Sequence, residues 1–154
     1  METLDLNGNG VVASRIGLGT WAIGGWMWGG TDEAESIRTI QGAPDKGVNL
    51  IDTAPVYGFG RSEEIVGKAV AEAKMRDQVV LATKCALEWD DKGGVQRNAS
   101  KKRVLKEADD SLKRLRTDVI DLLQVHWPDP TVDVRETAEA MAQLKEAGKI
   151  RAVG

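Results

Sequence analysis

From residue 15 onward, short apolar runs alternate with longer amphipathic ones. The apolar runs are "RIGLGTW" (15–21), "VNLIDTA" (48–54), "QVVLATKC" (78–85), "VIDLLQVHW" (119–127) and "IRAVG" (150–154). They are nearly continuous in Val, Ile and Leu, as parallel strands buried on both faces are. Between them the spacing predicts helices. "DEAESIRTIQ" can be capped by Thr31 or Asp32, with acids in its first turn against the dipole. Ser62 can cap "EEIVGKAVAEAK", and Ser100 can cap "KKRVLKEADDSLKRLR". In the latter, Val104, Leu105, Ala108, Leu112 and Leu115 form one stripe, and the charges form a solvated face. "VRETAEAMAQLKEA" follows, with Gly148 as its stop. Gly42 and Pro44 should end or kink the first helix near Gln41, because proline is disfavoured in a helix interior by about 3 kcal/mol. Upstream, "TLDLN", "GNG" and "VVASRIG" predict a hairpin with a glycine turn. Strand starts recur every roughly 30 to 40 residues, the size of a βαβ unit. The fold class is therefore α/β: a hairpin, about four β-α units and a last strand, read as a single domain over residues 1–154.

Composition narrows the function. The chain has 154 residues, 42% hydrophobic and 29% charged, with a net charge of −3 and interspersed signs. That gives no basic face for nucleic acid. No apolar run is long enough to span a membrane, and "METLDLNGNG" has no signal-peptide character. One cysteine, Cys85, excludes an internal disulfide and fits a reducing, cytoplasmic setting. With one His and one Cys, a structural zinc site cannot be assembled, so no metal is expected.

The candidate chemistry sits at strand ends. Asp52, Lys84 and His126 lie at or near the C-terminal ends of the second, third and fourth strands. Tyr57, the chain's one tyrosine, lies in the loop just past the second. In α/β barrels that end of the sheet holds the active site. Each residue taken alone reads as a structural ion pair or a half-buried loop residue; four of them ending successive strands read as a site. If Lys84 points inward, Cys85 points toward the helices and is a packed hydrophobe. A phenol held against an ammonium yields its proton more readily. Asp52 would hold Lys84 charged and aimed, Tyr57 would protonate a carbonyl oxygen, and His126 would orient that oxygen.

"DTAPVYGFGRSEEIVGKA" resembles the signature of the aldo-keto reductases. So do "GLGTWAIGG", "VVLATKC", "RLRTDVIDLLQVHWPDP" and "GKIRAVG", in order, from about Gly17 to Gly154. The resemblance implies an NADPH-dependent (β/α)₈ TIM-type barrel that reduces aldehydes and ketones, with Asp52, Tyr57, Lys84 and His126 as its catalytic tetrad. It implies a cofactor (NADPH/NADP+) approached by Gly19, Thr20, Trp21 and Asp52. Trp26, Trp28, Trp89 and Trp127, in loops on the same face, would with His126 wall a carbonyl-substrate pocket or merely pack its rim. Such a barrel takes about 250 residues. The resemblance thus implies a partial, truncated barrel whose later units, with their carboxamide, ring-stacking and 2′-phosphate contacts, are not among these residues.

Two other readings compete. A half-barrel exposes sheet edges and could be a non-catalytic module that self-associates. "GLGTWA" (17–22) matches a dinucleotide fingerprint, but "IGGWMWGG" follows it rather than a helix, so a Rossmann-type domain is disfavoured. "GFGRSE" (58–63) lacks the third small residue.

Overall fold

The computed structural model describes residues 1–8 and 10–154. Among the described residues nine strands and four α-helices, besides short 3-10 turns, follow in order: β1 (Thr3–Asp5), β2 (Val12–Ser14), β3 (Gly17–Gly19), α1 (Glu33–Gly42), β4 (Leu50–Asp52), α2 (Arg61–Glu72), β5 (Val80–Cys85), β6 (Leu87–Trp89), β7 (Val95–Arg97), α3 (Lys101–Leu115), β8 (Ile120–Val125), α4 (Val134–Glu146) and β9 (Ile150–Val153). The sheet is parallel in the order β3-β4-β5-β8-β9, with a helix in each connection, so the five expected strands are neighbours in chain order. This is the partial barrel that the sequence predicts, open along β3 and β9.

Helix signals behave locally as their chemistry requires. Asp32 caps α1 by accepting from the Glu35 N–H, Ser100 caps α3, and Asp133 caps α4. The first helix ends at Gly42, and Pro44 opens a separate 3-10 turn, as proline at a first turn allows. Ser62 does not cap α2. Gly60, at φ +100°, takes that position, and Ser62 lies inside the first turn. The first strand is shorter than expected, because Trp21 already has helical backbone angles and enters a 3-10 turn. Strand β1 pairs with β2 as the predicted hairpin; of its glycine turn at 8–10, Asn9 lies outside the described residues.

Two apolar layers hold the sheet. Ile51, Leu81, Cys85 and Leu123 on its outer face pack with Ile65, Val66, Val104, Ala108, Leu115 and Met141 of the helices. On the inner face, Leu50, Val80, Leu122 and Ala152 pack with Val11 and Ala13 of the hairpin, which closes one end. Alternation along β5 sends Lys84 inward and Cys85 outward, as predicted. Burial pushes the Cys85 thiol up, so it stays protonated and behaves as a hydrophobe.

Helices α2 and α3 touch at Gly67, where an added Cβ would lie 2.3 Å from the Arg114 carbonyl oxygen. Gly67→Ala should therefore destabilise the chain by about 1–3 kcal/mol. Gly42→Ala, with open space around it, should be neutral or stabilising by up to about 1 kcal/mol. Urea unfolding midpoints of the two variants check both expectations.

Candidate active site

Strands β4 and β5 pair with Asp52 opposite Ala82, which leaves Lys84 two residues further along, on the same face. Its ammonium reaches back to both Asp52 carboxylate oxygens at 2.9 Å, the Thr53 carbonyl at 2.9 Å and the Tyr57 hydroxyl at 3.2 Å. An ammonium has three protons and no acceptor. Asp52, Thr53 and Tyr57 are three partners, so Lys84 is satisfied, and the phenol oxygen is one of its acceptors. The phenol's own proton is then free to be given elsewhere.

The loop after β4 places Tyr57 by close backbone contact. A Cβ on Gly24 would sit 2.6 Å from the Tyr57 carbonyl carbon, so the turn at 22–24 can lie directly on this loop. The Trp21 ring stacks beside Tyr57 at 6.0 Å, and His126 meets the phenol edge-on at 5.8 Å. His126 follows β8, its backbone N–H donating to the Cys85 carbonyl at 2.9 Å. Burial, reinforced by the Lys84 charge and opposed by Asp52, pushes its imidazole down to about 4. His126 is thus neutral at pH 7. It can donate one ring hydrogen bond but is not an acid.

Beside these groups opens a cleft of about 400 Å³. Trp21, Trp26 and Trp127 line it together with Tyr57 and His126. Met27, Val56, Leu87 and Val95 complete the walls and were not singled out in the sequence. The signal for the last two was an apolar-polar alternation on either side of "DDKGG", which folds as the antiparallel hairpin β6–β7. Trp89 was expected in a loop facing the cleft. It lies on β6, against Phe59 at 5.7 Å and the Arg103 guanidinium at 5.8 Å, and is not part of the cleft lining. Trp28 is exposed, edge-on to Trp21, and also outside the lining. Gly19 is exposed, and a Cβ there would meet no atom within 4 Å. The Thr20 side chain is fully buried and turned into the protein, its hydroxyl donating to the Asp52 carbonyl at 3.0 Å. Among the described residues no cluster of side chains suits a metal ion, and no helix is long and apolar enough to cross a membrane.

A family profile described as "Aldo/keto reductase family" matches residues 15–154. The aldo-keto reductase YhdN of Bacillus subtilis (strain 168) is 62% identical over 154 residues, which cover 100% of this chain and 46% of that protein. The NADH-specific methylglyoxal reductase of Escherichia coli (strain K12) is 42% identical over 168 residues, covering 100% of this chain and 51% of the other. Among solved structures, a glycerol dehydrogenase from Gluconobacter oxydans superposes with a TM-score of 0.88 at 50% identity, over 99% of this chain and 47% of that one. The chain spans about half the length of the curated relatives it matches.

The chain's one histidine gives a direct check of the site's electrostatics. A histidine held below its unfolded value of about 6.5 favours folding fully above that pH. The contribution fades as pH falls toward the folded value of about 4. An NMR titration of the single imidazole should have its midpoint near 4. A midpoint near 6.5 would mean that the ring is solvated.

Proposed function

The chain belongs to the aldo/keto reductase family, and on that footing we propose that it carries the reducing centre of an NADPH-dependent oxidoreductase that converts aldehydes and ketones to alcohols. The observation that supports this most is the Tyr57 hydroxyl held 3.2 Å from Lys84, beside an apolar cleft that His126 also lines.

The residues present fit the reactive end of a nicotinamide cofactor. Space is open in front of Gly19, where a ligand can approach the backbone. Gly19, Trp21 and Asp52 would hold it; Thr20, expected beside them, is fully buried with its hydroxyl, N–H and carbonyl all used internally, and would act only by fixing the strand end. When bound in its reduced form, that group supplies a hydride to the carbonyl carbon. Tyr57 gives its proton to the carbonyl oxygen as negative charge builds there. Lys84 stabilises the phenolate left behind, and Asp52 keeps the ammonium in place. Neutral His126 donates a hydrogen bond that orients the same oxygen. Trp21, Trp26, Trp127 and the four aliphatic walls suit an apolar group attached to the carbonyl. NADPH is the choice the family resemblance implies, and the Escherichia coli relative, named as NADH-specific, marks the alternative. A barrel of this kind takes about 250 residues and the chain spans about half the length of the relatives it matches, so turnover by these residues alone should be feeble.

The test is aldehyde-dependent oxidation of NADPH and of NADH by the chain and by Tyr57→Phe. The variant should lose about 10²- to 10⁴-fold in turnover while cofactor still quenches tryptophan fluorescence. Equal turnover in the variant would remove Tyr57 from the chemistry. A stable dimer with no response to either cofactor would favour the second reading, a non-catalytic module associating through the open edges at β3 and β9.

A further inference from the structure

The second residue of helix α2, Ser62, has a side chain that the helix itself does not use as a cap. Ser62 is fully buried, as are Thr20 and Thr53. The Ser62 hydroxyl lies 2.9 Å from the Thr20 carbonyl, 2.8 Å from the Thr20 hydroxyl and 3.0 Å from the Thr53 hydroxyl. Each hydroxyl has one proton, which fixes the direction of the chain. Thr20 commits its proton to the Asp52 carbonyl at 3.0 Å, so toward Ser62 it can only accept. Ser62 therefore donates to Thr20 and must accept from Thr53. The order is Thr53 to Ser62, whose one proton is shared between the Thr20 hydroxyl and the Thr20 carbonyl, and from the Thr20 hydroxyl to the carbonyl of Asp52.

This chain grips one peptide unit from both sides. The Asp52 carbonyl also receives the Thr20 N–H at 2.9 Å, and the Thr53 N–H donates to Ala82 at 2.9 Å. The Thr53 carbonyl receives the Lys84 ammonium at 2.9 Å. Asp52 and Thr53 supply two of the three partners of Lys84, and the third is Tyr57. We propose that Ser62 is a positioning residue: its buried hydroxyl locks the ends of β3 and β4 so that Asp52 and Thr53 hold the Lys84 ammonium against Tyr57. The functional weight of this rests on the reading of Tyr57 and Lys84 given above, but the geometry can be tested without turnover. Ser62→Ala breaks the chain at its middle, leaving the fully buried Thr53 hydroxyl without the acceptor it has here.

The experiment follows hydrogen exchange of the Lys84 ammonium by NMR in the ¹⁵N-labelled chain. The Arg76 Nε–H, which donates to the Thr117 hydroxyl at 3.0 Å outside this network, is the internal reference. Ser62→Ala should speed Lys84 exchange roughly tenfold, the worth of one hydrogen bond, and leave Arg76 unchanged. Thr20→Val, of matching shape, should act in the same direction and carries the test if Ser62→Ala does not fold. Ser62→Thr, which keeps the hydroxyl, should restore slow exchange. Unchanged Lys84 exchange in Ser62→Ala and Thr20→Val, or equal acceleration at Lys84 and Arg76, would overturn the proposal. In assays with aldehyde, Ser62→Ala should lower kcat with KM little changed. A parent chain without turnover would count against the reductase reading alone, with the exchange data still deciding the role of Ser62.

Discussion

A lysine ammonium with three protons and three partners is the constraint around which this chain is arranged. Removing such a charge from water is costly unless it is paired and fully hydrogen-bonded. Only 14% of the Lys84 side chain is exposed, and Asp52 answers it with both carboxylate oxygens. The pairing is possible because β4 and β5 run parallel with Asp52 opposite Ala82. A slip of one residue would turn Lys84 to the outer face, among the apolar packing of Cys85 and the helices. Register, ion pair and phenol position are therefore one condition rather than three.

The rest of the molecule solves a different electrostatic problem. Three carboxylates outside the cleft, Glu63 and Glu107 under the helices and Asp121 near the hairpin, are almost wholly buried, and each meets an arginine. Glu63 accepts from Arg114 at 2.6 Å and from the Thr83 hydroxyl at 2.6 Å. Asp121 lies between Arg76 and Arg151 and accepts the Leu81 N–H. Glu107 pairs with Arg103 and accepts the Ala86 N–H at 2.9 Å, where Ala86 adopts φ +76° between β5 and the hairpin. Burial pushes Glu107 up to about 7, with Arg103 opposing. The Glu63 and Glu107 pairs tie α2 and α3 to the sheet by direction as well as by contact, Asp121 ties β8 to β9 and to the turn before β5, and Glu107 fixes the turn from which Leu87 reaches the cleft wall.

Much of this was legible in the sequence because the signals were local. Strand runs, the caps at Asp32 and Ser100, the break at Pro44 and the inward-outward alternation of Lys84 and Cys85 all follow from spacing over a few residues. The convergence of Asp52, Lys84 and Tyr57 followed from the rule that strand ends share a face. What escaped depended on contacts distant in sequence. Ser62 looks like a cap from its neighbours, yet Gly60 can adopt a left-handed conformation and release the serine to bond Thr20, 42 residues away. Trp89 looks like a cleft residue until β6 pairs with β7 and turns it onto Phe59. Val95 and Leu87 are too short a pattern to separate from loop until that pairing is seen.

The most direct measurement of the central claim is a double-mutant cycle on folding stability with Asp52→Asn and Lys84→Met. If the ammonium and the carboxylate are held as one unit, the two losses will not add, and the coupling will be about 0.5–3 kcal/mol. Losses that sum to within about 0.3–0.5 kcal/mol would show that the two residues do not depend on each other, and the account would fail at its base.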